Sequence, residues 1–235
     1  CYKTIGKLNE AVKSFEKALT IKPDYAEVHY NLGVTLQELD QLEAAVKSYE
    51  KAITIKPDYA DAYINLGITL KNLGQLDAAV KSYEKAIAIN PDYAEAHNNL
   101  GNTLDDLGQL DAAVKSYENA LAIKPDFAEA HNNLGNTLMN LDQLNEAVKC
   151  FKQALAIKPD YAEAHNNLGN TLMNLDQLDA ALVSYERAIV LKPDIKFLLG
   201  QSLHTKMHLC IWDNLPNRLN ELTKKINNNE KVITP

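Results

Sequence analysis

The chain has 235 residues, of which 46% are hydrophobic and 23% charged, and its formal net charge is −7. Acidic balance without clustered Lys and Arg excludes a nucleic-acid surface, and no apolar run is long enough to span a bilayer. Cysteines at 1, 150 and 210 make no disulfide framework, so a reducing, cytoplasmic setting is expected, with neither nucleic acid nor membrane as partner.

The chain opens with the back half of a repeating unit. Residues 4–21 predict one helix, because Leu8, Ala11, Val12, Phe15, Ala18 and Leu19 share a stripe at spacings of three and four. Residues 1–25 therefore form a partial repeat. The chain begins inside that repeat and reads as an excerpt of something longer.

Five whole repeats follow across 26–193. Prolines recur every 34 residues at Pro23, Pro57, Pro91, Pro125, Pro159 and Pro193. The same period places Ala11, Ala45, Ala79, Ala113, Ala147 and Ala181, with an aromatic four residues later at Phe15, Tyr49, Tyr83, Tyr117, Phe151 and Tyr185. A Leu-Gly pair recurs from Leu32-Gly33 to Leu168-Gly169. Each repeat predicts two helices. Asp24, Asp58, Asp92, Asp126 and Asp160, each with an acid three residues on, are expected to cap the first helix by a capping box. Asp40, Gly74, Gly108, Asp142 and Asp176 mark the turn into the second.

The first helix has two faces. In 94–107, Ala96, Leu100, Thr103 and Leu107 step by four, three and four; Glu95, Asn99, Asn102 and Asp106 make the same steps on the other side. Gly101 and Ala113 are small enough to let the two helices approach, and Tyr117 fills the space beside them. The second helix, with Leu110, Ala113, Val114, Tyr117, Ala120 and Leu121, is largely apolar.

Asparagine carries the functional signal. Asn31, Asn65, Asn99, Asn133 and Asn167 hold one repeat position without exception, although Asn is a mediocre helix residue. In the last three repeats Asn98, Asn132 and Asn166 precede it, and Asn102, Asn136 and Asn170 follow three residues on. Stacked repeats align these amides into ladders. Duplication explains part of this, since 128–144 and 162–178 are identical over 17 residues; it explains Asn31 and Asn65 less well, because their surroundings have diverged. A structural role, with amides bonded between repeats, competes with peptide binding.

After Pro193 the pattern breaks. Residues 196–209 predict one apolar helix, and Leu215, Leu219, Leu222 and Ile226 predict a short amphipathic one. The segment 194–235 is read as a helical cap or connector. His204 and His208 share a face at i, i+4 near Cys210, a spacing able to hold a metal ion, but no third ligand is placed. There is no phosphate loop, no HExxH and no nucleophile elbow. No catalytic residue, cofactor or metal is expected in this chain.

The 34-residue period with its Leu-Gly, Ala, aromatic and Pro positions resembles the tetratricopeptide repeat family over residues 1–193. The resemblance implies an all-α, right-handed α-solenoid of antiparallel helix pairs, whose first helices line a concave groove. The asparagine before each Leu-Gly pair is similar to the asparagine ladder in the superhelix of protein O-linked N-acetylglucosamine transferases, which holds the backbone of protein substrates. The run FLLGQSLHTKMHLCIWDN, followed by a Leu-rich helix and NNNEKVITP, looks like the connector in bacterial (SPINDLY-like) members. That resemblance implies extended or unfolded segments of protein substrates as partners and catalytic lobes beginning after Pro235. The chain alone then binds and does not catalyse. A stand-alone interaction adaptor is the alternative. A clamp for a chaperone's C-terminal carboxylate needs groove cations, and only Lys71 offers one.

Overall fold

The computed structural model describes residues 2–195, 197–212, 217, 219–220 and 222–224, with side chains from residue 6 onward. Among these residues it is all-α. Its helices are α1 (Tyr2–Ile21), α2 (Ala26–Glu38), α3 (Leu42–Ile55), α4 (Ala60–Asn72), α5 (Leu76–Ile89), α6 (Ala94–Asp106), α7 (Leu110–Ile123), α8 (Ala128–Asn140), α9 (Leu144–Ile157), α10 (Ala162–Asn174), α11 (Leu178–Leu191) and α12 (Leu198–His208). Of the amphipathic helix expected over 215–226, residues 217, 219–220 and 222–224 are described and helical, and the rest lies outside the described residues. No described helix is long and apolar enough to cross a membrane.

The chain divides into two compact units, Cys1–Pro125 and Asp126–Pro235. In the first, α2/α3, α4/α5 and α6/α7 are antiparallel pairs, and α3 and α5 pack on the pair that follows. In the second, α8/α9 and α10/α11 pair likewise, α9 packs on α10, and α11 packs on α12. First helices also touch one another, α2 with α4, α4 with α6, and α8 with α10.

One contact organises each pair. A Cβ added to Gly101 would stand 2.7 Å from the Tyr117 ring, and one added to Gly67 would stand 2.6 Å from Tyr83. The glycine lets the ring lie flat against the first helix. The rings of Tyr49, Tyr83, Tyr117, Phe151 and Tyr185 are at most 2% exposed, bracketed by alanines at 0% such as Ala113 and Ala120. Burying one such side chain is worth about 1.5–3 kcal/mol.

The inter-helix turn behaves as its residues require. Asp40, Asp142 and Asp176 take φ of 59°, 59° and 57°, and Gly74 and Gly108 take 74° and 72°. Around Asp40 the Gln41 N–H donates to the Leu36 carbonyl at 2.9 Å and the Asp40 N–H to Gln37 at 3.0 Å, a Schellman close. The capping boxes do not form. The N-cap residues are Tyr25, Tyr59, Tyr93, Phe127 and Tyr161, none with a side-chain cap bond. The Pro-Asp step places each aspartate one residue too early to reach the first-turn amides.

Candidate functional site

In the first unit the ladder residue Asn31 is exposed on α2, while Asn65 on α4 and Asn99 on α6 are half-buried. The Asn65 amide Nδ2 donates to the Tyr30 hydroxyl at 2.9 Å. Asn98, beside Asn99, is buried. The flanking Asn102 accepts a 2.7 Å bond from the Tyr117 hydroxyl on its oxygen, so that amide oxygen satisfies a buried phenol.

The second unit repeats this scheme. Asn133 and Asn167 are half-buried. Asn167 Nδ2 donates at 3.1 Å to Oδ1 of Asn132, itself only 5% exposed. The reach is the same as from Asn65 to Tyr30. In each case the ladder amide bonds the residue just ahead of the ladder position one repeat earlier. Asn170 Oδ1 accepts from both the Tyr185 hydroxyl and Gln201 Nε2 at 2.9 Å. Among the described residues Asn166 Oδ1 and Gln201 Oε1 are buried without a hydrogen-bond partner. The structure therefore gives the ladder an inter-repeat role at Asn65 and Asn167, and each of those amides keeps a second N–H.

Asn136 stands fifteen residues before Phe151, as Asn102 does before Tyr117, but Phe151 has no hydroxyl to donate. Phe151→Tyr is expected to place a hydroxyl on Asn136, as Tyr117 does on Asn102, and to add about 1 kcal/mol of stability. A denaturant melt that shows no gain would remove that contact from the account.

Two pockets lie on the first-helix faces. One, in the first unit, has a volume near 220 Å³ and is lined by Val34, Gln37, Glu38, Tyr49 and Asn65. The other, in the second unit, has about 250 Å³ and is lined by Asn170, Met173, Asn174, Tyr185, Gln201 and His204. The first five of these stand four periods on from the five residues of the first pocket. The pocket is thus a property of the repeat. Its walls are the residue three after the ladder, the last turn of the first helix, the buried aromatic, and the ladder residue of the next repeat.

The family model described as TPR repeat matches residues 2–40, 38–74, 70–108, 103–142 and 135–176, and the tetratricopeptide repeat model matches 162–195. The chain belongs to the tetratricopeptide repeat family. No curated protein matches it. Among solved structures, MamA is 31% identical, covering 68% of this chain and 94% of its own, with a TM-score of 0.64. YrrB, described as a TPR protein with an unusual peptide-binding site, is 26% identical, covering 83% and 99%, with a TM-score of 0.66. PilF of Pseudomonas aeruginosa, 18% identical over 85% and 90% with a TM-score of 0.76, shows the fold alone.

The tetratricopeptide register runs further than the sequence pattern indicates. Helix α12 keeps it: Gln201 stands at the ladder position, and Thr205 at that of Thr69, Thr103, Thr137 and Thr171, all at most 1% exposed. Cys210 takes the left-handed turn position with φ 57°, and Ile211 N–H closes on Lys206 at 2.9 Å. The segment read only as a cap or connector thus begins as a divergent repeat. Counting 34 residues on from Asn167 and Asp176 was the available signal. Apolar divergence masked it, because Leu203 replaces the glycine of the Leu-Gly pair.

The repeat histidines have a defined task. Nε2 of His29, His97 and His165 lies 2.9, 3.0 and 3.1 Å from the carbonyls of Pro23, Pro91 and Pro159. Each ring donates its N–H there and ties the loop to the first helix. Burial lowers the His165 pKa, which favours the neutral ring. His204 and His208 approach to 3.1 Å between Nε2 atoms. Among the described residues no group of three or more His, Cys, Asp or Glu is placed to hold a metal.

Proposed function

We propose that the chain binds extended polypeptide along its first-helix faces and performs no chemistry of its own. The observation that carries this is the pocket that recurs at one set of repeat positions, with a ladder residue on its wall in each case. A primary amide carries two donors and an acceptor. It can hold a peptide backbone while ignoring most side chains. The pocket beside it is smaller than a drug-sized site and takes one side chain at a time. The peptide-binding site of YrrB supports the same class of partner.

A narrower form of the proposal makes the bound peptide the substrate of a protein O-linked N-acetylglucosamine transferase, with this chain as its recognition arm. Its support is the ladder and the connector-like run from Phe197. The reading frame beyond Pro235 tests it: a sugar-nucleotide-binding domain there supports it, and a stop codon ends it.

The binding itself is tested by replacing Asn31, Asn65 and Asn99 with Ala together. Among the described residues the side-chain bond lost is the part-buried one from Asn65 to Tyr30, and Ala is the better helix residue. The melting temperature is expected to hold within about 2 °C, since surface changes of this kind stay within about 0.5 kcal/mol. Each peptide hydrogen bond is worth about 1 kcal/mol net, so losing three should lower affinity for an unfolded peptide roughly 100- to 200-fold. Unchanged affinity in a folded triple variant would end the peptide-backbone reading. Asn167→Ala behaves differently, because it strands the buried Asn132 oxygen; it should cost about 1–3 kcal/mol.

A further inference from the structure

The two recurrent pockets share a shape but differ in charge, and the difference selects a ligand. In the second unit the last turn of the first helix supplies Met173 and Asn174; in the first unit the same positions supply Gln37 and Glu38. Glu38 is exposed at the pocket and, among the described residues, forms no ion pair. The Tyr49 phenol is held well above the usual tyrosine range mainly by burial, with Tyr30 and Glu38 adding to it. Val34 and the Tyr49 ring make apolar walls. Gln37 is committed, since its Oε1 accepts from Tyr49 at 3.1 Å and lies 3.0 Å from the Thr69 hydroxyl.

The chain shows elsewhere what this position does when a cation is at hand. One repeat position is held by Glu38, Asn72, Asp106, Asn140 and Asn174. At Asp106 the carboxylate is met by the Lys71 ammonium at 2.9 Å. Lys71 comes from the preceding repeat and crosses between first helices. Glu38 presents the same carboxylate with no such partner among the described residues, at the mouth of a pocket whose walls suit an aliphatic stem.

We propose that the pocket of Val34, Glu38, Tyr49 and Asn65 takes the side chain of an arginine or lysine from the bound extended peptide. This rests on the peptide-binding reading above and assigns its first specificity position. The methylene stem lies between Val34 and Tyr49, the cation meets Glu38, and the Asn65 amide stands beside the peptide backbone. The acidity of the repeats agrees: the tail from Asp194 carries six Lys or Arg and four Asp or Glu, so the repeats carry −9 of the −7 total. The equivalent pocket of Met173 and Asn174 has no carboxylate and takes a neutral side chain.

The test uses the full chain and two acetylated 12-residue peptides of Ala, Ser and Thr. One has a single central arginine; the other has citrulline, its neutral isostere. By fluorescence anisotropy at low salt, the arginine peptide is expected to bind about 3- to 5-fold more tightly, a preference that salt reduces because the pair is exposed. Glu38→Gln should erase the preference, bringing the two peptides to equal affinity. Asp106→Asn, whose carboxylate already has Lys71, should leave the preference intact. If both peptides bind wild type equally, or the preference survives Glu38→Gln, the pocket assignment is overturned and peptide binding stands. If neither peptide nor any other unfolded peptide binds, both fall together.

Discussion

Gly101→Ala is expected to destabilise the protein, although alanine is ordinarily the better helix residue by about 1 kcal/mol. The new methyl would meet three atoms of the Tyr117 ring at 2.7–2.9 Å. That ring is 1% exposed and held between Ala113 and Ala120, both at 0%, so it has no free volume to enter. The two helices must separate instead. Overpacking of this kind costs about 1–3 kcal/mol, which for a chain of this size lowers the melting temperature by roughly 2–4 °C per kcal/mol. The decisive measurement is a double-mutant cycle with Tyr117→Leu. Gly101→Ala should cost at least about 1 kcal/mol less when the ring is gone. An Ala variant that melts higher than wild type would show that the close approach is not what the glycine supplies.

The second large effect lies at alkaline pH. Burial raises the phenol pKa of Tyr49, Tyr83 and Tyr185 far above the ordinary value of 10.0. The folded state therefore keeps these protons longer than the unfolded state does. Below pH 10 all three are protonated in both states, and their contribution is fully present. Above pH 10 the unfolded chain releases them and the folded chain does not, so stability falls as pH rises. Each contributes a slope of about 1.4 kcal/mol per pH unit, or roughly 4 kcal/mol per unit for the three. Helical ellipticity is expected to collapse cooperatively above pH 10, in step with tyrosinate absorbance. Tyr83→Phe should reduce the slope by about a third. Tyrosinate forming gradually near pH 10 with the helices intact would contradict the burial argument.

Hydrogen bonding modulates this within the series. Tyr117 and Tyr185 deliver their hydroxyls to Asn102 and Asn170, and Tyr49 to Gln37. A buried phenol needs such an acceptor, so part of the asparagine content on the first helices serves the core. The asparagines flanking the ladder were read in the sequence as binding residues; Asn102 and Asn170 have their oxygens occupied, which leaves the amide N–H groups for a ligand. The ladder residues Asn31 and Asn99 keep the whole side chain available.

What the sequence determined by itself is everything that repeats along the chain. The period, the helix pairs, the glycine against the aromatic, and the polar arc bearing Asn99 and Asn102 all follow from spacings of three, four and 34. Such spacings report which residues share a helix face, and face sharing is a local property. The tertiary structure alone decided what reaches across repeats. The bond from Asn65 to Tyr30, the matching bond from Asn167 to Asn132, and the pocket walled by Val34, Tyr49 and Asn65 depend on how one helix pair is rotated on the next. That rotation is set by packing around the buried rings and is not written in any single helix. The capping boxes failed for a related reason: the acid spacing was right, but the Pro-Asp backbone set the helix start one residue later. Helix α12 was the converse case, where packing and a left-handed Cys210 preserved a register that the side chains had already abandoned.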